Sequence, residues 1–417
     1  MFNIQLVWDR PIKLASRPST HCLRIRFSPN SGNKPSNTYR GIPLRLAIAL
    51  DTSSSMEGKK LEAAQKACLT VLSLLRPEDR FWLAGFSTKI HPLINGLVAE
   101  NSAIAAGKEA ISKIKALGIT RFENAMDWLA GALKKESNSV HVGVLITDGH
   151  PTDMKGNPLA DKSTLLKRAE RLWDRGIMIE TVGYGASSNF NTTFLVDLSQ
   201  KGNGTFIYAQ DPEELEPRLR QEINKVQNIS AEDVVLKINP LYPGLKLSGI
   251  CRLKPSFLPF DNLGISTPIK IGALSGQTEG DFLISFEVPA LNFGENMGMK
   301  QIAQIEATSL LFPDKFLEQA SLNFTNSMSE ANQLEKGVDQ DRLLWDINLY
   351  SQELNRTDQL DRTVDLLQNI VDSAIGANRP DLRASAVQRL DELKKTGLLR
   401  SEGKTRLLDE TRNGDKS

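Results

Sequence analysis

The most informative part of this sequence is Leu46-Ala47-Ile48-Ala49-Leu50-Asp51-Thr52-Ser53-Ser54-Ser55. Its apolar half has the continuous hydrophobic character of a parallel strand that is buried on both faces. The run ends abruptly at Asp51, and hydroxyl side chains follow at Ser53 and Ser55. Open α/β sheets bind their ligands at the carboxyl ends of the strands. One carboxylate and two hydroxyls on such a loop form an oxygen-only cradle, which favours Mg²⁺ over zinc or copper.

Strand and helix patterns alternate from residue 42 to about residue 228. The apolar runs that predict strands cover residues 44–50, 81–86, 91–97, 140–146, 177–182 and 204–208. The clearest helical pattern follows the first strand, where Leu61, Ala64, Cys68, Val71 and Leu75 repeat at spacings of three and four. This alternation predicts an α/β domain built on a Rossmann-like, doubly wound, mostly parallel sheet.

The segments on either side of this domain have the composition of β structure. Residues 1–40 contain two β-like stretches, and residues 231–325 contain seven prolines between short β-rich pieces. We predict that residues 231–325 form a small antiparallel β-sandwich or barrel. Because residues 1–40 are also β-like, we expect them to pair with this second domain. The α/β domain would then be an insertion in the sequence of the β domain.

The C-terminal region changes character again. A heptad-like stripe of Leu360, Val364, Leu367, Val371 and Ala374 is flanked by further apolar positions at helical spacing. Residues 327–410 are therefore predicted to form an antiparallel helical bundle of three helices. Residues 411–417 are predicted to be a disordered tail. On this division, deletion of residues 327–417 is expected to leave the α/β domain folded.

The overall composition argues against several functional classes. The 417 residues carry 51 basic and 50 acidic side chains, so nothing points to nucleic acid or to a membrane surface. No apolar run approaches the roughly 20 residues of a membrane span, and the N-terminus lacks a signal-peptide pattern. Cys22, Cys68 and Cys251 are too scattered for a disulfide framework or a zinc site. We therefore expect a cytoplasmic protein.

Two further loops are predicted at the same edge of the sheet as Asp51. Gly118 permits a tight turn before Thr120, and Asp148 ends another apolar strand before Gly149. Because the carboxyl ends of parallel strands meet at one edge, Thr120 and Asp148 are expected to join the first loop. A magnesium site needs about six oxygens, some of them from water.

The combined pattern resembles the metal-ion-dependent adhesion site of the von Willebrand factor type A domain. Asp51-x-Ser53-x-Ser55, then Thr120, then Asp148 in Thr-Asp-Gly fill its five ligand positions, and the resemblance spans about residues 42–228. It implies that the first-loop residues bind the metal, that Thr120 binds it directly in the ligand-engaged state, and that Asp148 acts directly or through water. It also implies a protein partner that supplies a Glu or Asp carboxylate. The cofactor would be Mg²⁺, with Mn²⁺ or Ca²⁺ as substitutes.

A rim of residues around the metal would contact the partner. It is predicted to comprise Gly118, Ile119, Arg121, Gly149 and His150. Many relatives of the family carry two glycines before the threonine, so Ile119 would stiffen the second loop. His150 also fits an ordinary solvated loop residue.

Simpler interpretations compete with metal binding. Asp and Ser cap helix N-termini well, and Thr120 with Glu123 three residues later fits a capping box. Capping accounts for one such residue, but not for three together with two matching loops. Capping and metal binding are also compatible at Thr120.

The predicted function is a Mg²⁺-dependent protein-binding module that acts as an intracellular adaptor or scaffold, not as an enzyme. The alternative is a Mg²⁺-dependent, phosphohydrolase-like hydrolase that uses the same metal site. A hydrolase needs a base or nucleophile near the metal. The loops offer Glu57, Glu123, His150 and Asp153, but no recognisable pair. A structural subunit with a vestigial site is a third hypothesis, which the intact ligand set disfavours. The sequence gives no sign of the oligomeric state.

Overall fold

The computed structural model of the protein describes residues 2–29, 42–98, 100–134, 136, 138–260, 264–309, 312 and 315–413. Its strands, in chain order, are β1 (Phe2–Trp8), β2 (Ile12–Leu14), β3 (Ser19–Pro29), β4 (Leu44–Asp51), β5 (Arg80–Phe86), β6 (Ile90–Val98), β7 (Val140–Thr147), β8 (Ile177–Tyr184), β9 (Asn203–Ala209), β10 (Ile229–Pro240), β11 (Lys246–Lys254), β12 (Leu258–Phe260), β13 (Ile269–Ser275), β14 (Gly280–Val288), β15 (Gly298–Thr308) and β16 (Phe316–Thr325).

The α-helices are α1 (Lys59–Leu74), α2 (Asn101–Ser112), α3 (Phe122–Ala132), α4 (Ser163–Asp174), α5 (Thr192–Lys201), α6 (Pro212–Gln227), α7 (Met328–Ala331), α8 (Lys336–Arg356), α9 (Leu360–Gly376), α10 (Pro380–Thr396) and α11 (Ser401–Asn413). The chain divides into two compact units. The α/β unit comprises Arg40–Ile229 and Arg400–Asp409, and the sandwich unit comprises Met1–Tyr39, Ser230–Leu399 and Glu410–Ser417.

The α/β unit has a Rossmann-like fold around a six-stranded sheet in the order β6-β5-β4-β7-β8-β9. Neighbouring strands are parallel, except that the edge strand β6 runs antiparallel to β5. The inner strands β7 and β8 are buried along their whole length, as expected for strands covered on both faces. After β4 the chain adds β5 and β6 on one side of this strand and then β7, β8 and β9 on the other. The strand order therefore reverses between β4 and β7, which makes this place a topological switch point. Ligand sites form at such points.

Helices on one face of this sheet share a single aromatic-rich core with the strands. Phe122 of α3 packs against Phe86 and Phe194, with ring centroids 5.8 and 5.4 Å apart. These rings belong to the same buried cluster as Ala47 and Ala49 of β4. The small alanine side chains let α3 approach the strand that carries Asp51 at its end.

The last helix, α11, contributes its first residues to the α/β unit. Leu408 is buried in the core that also contains Phe194, Phe206 and Tyr208. Asp409 accepts a hydrogen bond from the backbone N–H of Tyr208 at 3.1 Å and pairs with Arg218 at 2.5 Å. This corrects the predicted boundaries, because Arg400–Asp409 belongs to the α/β unit and not to the bundle predicted at 327–410.

The sandwich unit consists of two five-stranded sheets, β1-β3-β14-β11-β12 and β13-β10-β15-β16-β2. The N-terminal strand β3 lies between β1 and β14, and it pairs with both antiparallel. Side chains from both sheets form one buried core, which includes Ile25, Phe27, Phe282, Ile305 and Leu322. The N-terminal segment therefore pairs with strands that follow the α/β region in the sequence.

Helix α8 packs on this sandwich instead of forming a free-standing bundle. Trp345 packs against the buried cluster of Cys251 and Phe257, and Arg24 pairs with Asp341 at 2.8 Å. Helices α9 and α10 follow as an antiparallel continuation. The predicted three-helix bundle is thus part of the same unit as the β-sandwich.

The predicted disordered tail, 411–417, begins inside helix α11. The hydroxyls of Thr411 and Ser351 lie 2.8 Å apart, and the carbonyl of Arg412 accepts a hydrogen bond from Phe257 N at 3.1 Å. These contacts within the sandwich unit hold residues 411–413 in place, whereas residues 414–417 lie outside the described part of the chain. The N-terminal segment that was predicted at 1–40 to pair with the β domain also lies outside it from residue 30 onward. Among the described helices, none is long and apolar enough to span a bilayer.

Candidate metal-binding site

Asp51 ends strand β4 with its carboxylate fully buried. The backbone N–H of Ser53 donates to its Oδ1 at 2.9 Å, and the Thr147 hydroxyl donates to its Oδ2 at 2.6 Å. Burial raises the pKa of Asp51 to about 6, and these hydrogen bonds oppose that rise. The two donors fix the orientation of the carboxylate at the edge of the sheet. A cation at this point would favour its charged form.

Ser53 and Ser55 connect the first loop to Asp148. Their Oγ atoms lie 3.0 Å apart, and Ser55 Oγ donates to Asp148 Oδ1 at 2.7 Å. Asp148 follows β7, which pairs with β4 through Leu50 and Ile146, so adjacent parallel strands deliver both carboxylates to one edge. Asp148 is buried, whereas Ser55 is exposed. Because Asp51, Ser53 and Thr120 are buried as well, Ser55 is the one exposed residue among the five predicted ligands.

Thr120 reaches the same place from the second loop. A Cβ added to Gly149 would lie 3.0 Å from Thr120 Oγ1 and 3.9 Å from Asp51 Oδ2. The absent side chain of Gly149 thus leaves a cradle bordered by two predicted ligand oxygens. Thr120 is itself fixed from the third loop, since Thr152 N and Thr152 Oγ1 both donate to its carbonyl at 2.9 Å. The structure therefore brings all five predicted ligands together at one edge of the sheet.

Backbone hydrogen bonds tie the second loop to the first. Leu117 N donates to the carbonyl of Thr52 at 2.7 Å, and Ser54 N donates to that of Gly118 at 3.0 Å. Gly118 has a φ of +94°, and a Cβ there would lie 2.4 Å from Thr88 Oγ1. Both the backbone conformation and the space therefore require glycine at this turn.

Lys60 places a positive charge inside the cluster. Its Nζ lies 2.5 Å from Asp148 Oδ2 and 3.4 Å from the carbonyl of Ser55. The residue sits at the start of α1, directly after the first loop, and its side chain turns back toward the site. With Asp51 charged, two carboxylates and one ammonium leave a net negative charge, which is electrostatically suited to a divalent cation.

The donor set suits a divalent cation. Two carboxylates and three hydroxyls converge, all of them hard oxygen ligands. Within the described ranges, no three His, Cys, Asp or Glu side chains gather as a metal site. The hydroxyls are therefore essential to this cluster, and Asp51, Ser53, Ser55, Thr120 and Asp148 together would hold the ion.

The predicted rim residues lie on the loops that carry the cluster, and they differ in their contacts and burial. Arg121 Nε lies 3.3 Å from Glu123 Oε2, and its guanidinium also contacts the sulfur of Met154. Burial lowers the pKa of His150, opposed by a hydrogen bond to the backbone of Ser188. Gly118, Ile119 and Gly149 are half-buried.

Sequence reasoning missed several residues that orient the ligands. Thr147 precedes Asp148 in the Thr-Asp-Gly motif, and its hydroxyl both bonds to Asp51 and accepts from Gly149 N at 3.1 Å. Thr88, whose hydroxyl accepts from Ile119 N at 3.2 Å, lies on a loop with no recognisable motif. The Thr-Asp-Gly motif contained the signal for Thr147, but nothing in the sequence marks Thr88 or Lys60.

Comparison with known proteins identifies the α/β unit. The von Willebrand factor type A domain family matches residues 46–222, so the chain contains a type A domain. Type A domains form a family of protein-interaction and adhesion modules, and they commonly bind a divalent metal at a metal-ion-dependent adhesion site. They are typically not enzymes.

Two solved structures share the fold across nearly the whole chain. A von Willebrand factor type A protein from Catenulispora acidiphila covers 100% of this chain and 97% of its own, with 15% identity and a TM-score of 0.77. The ArnB paralog VWA2 from Sulfolobus acidocaldarius covers 99% and 98%, with 14% identity and a TM-score of 0.62. At these identities the likeness extends to the fold alone.

Two sequence relatives match parts of the chain. An uncharacterized protein of Synechocystis sp. is 24% identical over 303 residues, 71% of this chain and 69% of that protein. Inter-alpha-trypsin inhibitor heavy chain H1 of Sus scrofa is 25% identical over 200 residues, which cover 46% of this chain. The match spans only 22% of that heavy chain.

Proposed function

We propose that the α/β unit is a Mg²⁺-dependent protein-binding module, and that the protein acts as an adaptor or scaffold. The module takes up a Glu or Asp side chain of a partner protein at the cluster. The observation that supports this most is the open cradle at Gly149, bordered by oxygens of Thr120 and Asp51 from two different loops. Mn²⁺ or Ca²⁺ would substitute for Mg²⁺ with the same oxygen ligands.

Each residue of the cluster has a distinct task in this proposal. Asp51 and Asp148 supply negative charge, while Ser53, Ser55 and Thr120 supply neutral oxygens. A bound Mg²⁺ would present a Lewis-acidic coordination position to a carboxylate. The two protein carboxylates balance the charge of a divalent ion. The hydroxyl ligands add no further negative charge, so the ion still attracts a third carboxylate from the partner. The exposed side chain of Ser55 marks the side from which that carboxylate would approach.

The surroundings of the cluster support binding over hydrolysis. Asp153 is occupied within its own turn, where it accepts from Lys155 N at 2.8 Å and Asn157 N at 2.9 Å. Glu123 pairs with Arg121, and His150 bonds to the backbone of Ser188. Three of the four candidate bases thus have structural partners, from which each would have to be released before it could act as a general base. We propose that the protein is not an enzyme.

The proposal also places this adaptor inside the cell. Its three cysteines are buried free thiols, the state that reducing compartments maintain. Fractionation of the source cells with an antibody against the protein would test this placement. Recovery in the extracellular fraction would contradict it.

A capture experiment tests the binding function. Tagged full-length protein would be incubated with lysate of its source organism in Mg²⁺ or in EDTA, and retained proteins would be identified by mass spectrometry. We expect one or more partners that are lost both in EDTA and with Asp51→Ala. Glu57→Ala, which removes an exposed carboxylate two residues after Ser55, serves as the matched control and should retain them. Partners that are retained both in EDTA and by Asp51→Ala would show that the interface lies elsewhere.

A further inference from the structure

Two large apolar side chains are exposed to solvent on the loops that carry the predicted metal ligands. Leu117 is 77% exposed and lies three residues before Thr120, and Met154 is 81% exposed and follows Asp148 on the third loop. Among the described residues of the α/β unit, Val98 is the only other exposed large apolar side chain, and it is just 37% exposed. Single exposed apolar residues are ordinary on protein surfaces. Two such residues on loops that carry ligands of one site are a candidate contact surface.

The backbone under both side chains is fixed, so their exposure is built into the fold. Leu117 N donates to the carbonyl of Thr52, next to the first ligand. Met154 stands at the tip of a turn that the Asp153 carboxylate closes by accepting from Lys155 N and Asn157 N. A preorganised apolar surface loses less entropy on binding than a mobile one.

A third apolar side chain and a cation complete this surface. Ile119 Cγ2 lies 3.3 Å from the position of a Cβ on Gly156, so it packs against the turn that carries Met154. The Arg121 guanidinium contacts the Met154 sulfur. We call Leu117, Ile119 and Met154 the apolar rim. Apolar contacts therefore adjoin the loops of the metal ligands, beside the Arg121 guanidinium that also pairs with Glu123, so an acidic side chain captured at the cluster would have apolar groups next to it.

We infer that the apolar rim selects partners in which the captured Asp or Glu has a bulky apolar residue next to it in the sequence. This inference rests on the proposed function, because it deepens the specificity of the same site. The carboxylate would bind at the cluster, and the apolar neighbour would cover Leu117 or Met154. The flexible thioether of Met154 would adapt to Leu, Ile, Met or Phe at that position.

Selection from a random peptide library tests the inference. A phage-displayed library of random twelve-residue peptides would be selected on the immobilised full-length protein in Mg²⁺ and eluted with EDTA. We expect Asp or Glu adjacent to Leu, Ile, Met or Phe among the enriched peptides. Changing the apolar neighbour to Ser in the best peptide should weaken binding about tenfold, measured by fluorescence polarisation.

Substitutions in the rim separate this inference from the proposed function. The double variant Leu117→Ser, Met154→Ser should keep its Mg²⁺ affinity but bind the best peptide about tenfold more weakly, with Val98→Ser as the matched control. Enrichment of acidic peptides without an apolar neighbour, or unchanged peptide binding by the double variant, would overturn the inference alone. Absence of any acidic, EDTA-eluted peptide would overturn the proposed function and the inference with it.

Discussion

Removal of the Leu408 side chain should destabilise the α/β unit, although this residue is almost 180 positions beyond the main body of that unit in the sequence. Leu408 is 1% exposed and lies in the core with Phe194, Phe206 and Tyr208. Leu408→Ala leaves a cavity among large aromatic residues that cannot readily close it. Such substitutions cost about 2 to 5 kcal/mol. A loss of this size is a large fraction of the stability of an ordinary domain.

The assay should report on the α/β unit separately, because two units need not unfold in one transition. Hydrogen exchange read by mass spectrometry satisfies this requirement, since peptides from β8, β9 and α5 can be followed individually. In Leu408→Ala these peptides should exchange faster by the factor that corresponds to about 2 to 5 kcal/mol.

The matched control is Leu398→Ala, which removes the same side chain from a residue that is 64% exposed. Its effect should stay within about 0.5 kcal/mol. Equal exchange of β9 in Leu408→Ala and in the native protein would refute the assignment of α11 to the α/β core. Deletion of residues 327–417 removes Leu408 and Asp409, so it should destabilise the α/β unit, contrary to the expectation from the sequence.

Three further predictions concern the site and the sandwich unit. Gly149→Ala places a methyl group 3.0 Å from Thr120 Oγ1, so Mg²⁺ affinity should fall about tenfold or more by calorimetry; native affinity would argue against the cradle. Lys60→Met removes the ammonium beside Asp148, so Mg²⁺ affinity should rise about severalfold; a decrease would make Lys60 a supporting residue instead of a competitor. Burial, with a smaller contribution from Arg10, lowers the pKa of His21 from its ordinary value of 6.5 to about 4. The unfolded state therefore binds the proton first, and the free energy of unfolding should fall by about 2 kcal/mol between pH 7 and pH 5. His21→Gln should reduce that loss in urea titrations of the sandwich unit, and an unchanged pH dependence would contradict the prediction.

The α/β fold and its five-residue cluster were accessible from the sequence because their signals are local. The buried run of β4 ends at Asp51, and Asp148 directly follows β7, so strand pattern and ligand lie in one stretch. Parallel pairing then brings the two ends together without further information. The family and fold comparisons confirm the predicted type A domain. The five ligand assignments remain predictions until metal binding is measured.

The parts that escaped prediction depend on contacts between distant residues. The pattern of α11 shows an amphipathic helix, but nothing local reveals that Leu408 packs beside Phe194, or that Asp409 bonds to Tyr208 N. The same limit applies to Lys60, because the direction of a long side chain at a helix start is set by its surroundings. The prolines of residues 231–325 also interrupt the strand pattern, so the sequence did not reveal strands such as β11. Its partner β14 is about 30 residues away.

Calorimetric titration of Mg²⁺ into the metal-free, full-length protein tests whether the cluster of Asp51, Ser53, Ser55, Thr120 and Asp148 binds a metal. We expect one binding site in the native protein and in Glu57→Ala, and no measurable binding in Asp51→Ala of unchanged circular dichroism. Equal binding by the native protein and Asp51→Ala, or no binding by either, would contradict this expectation.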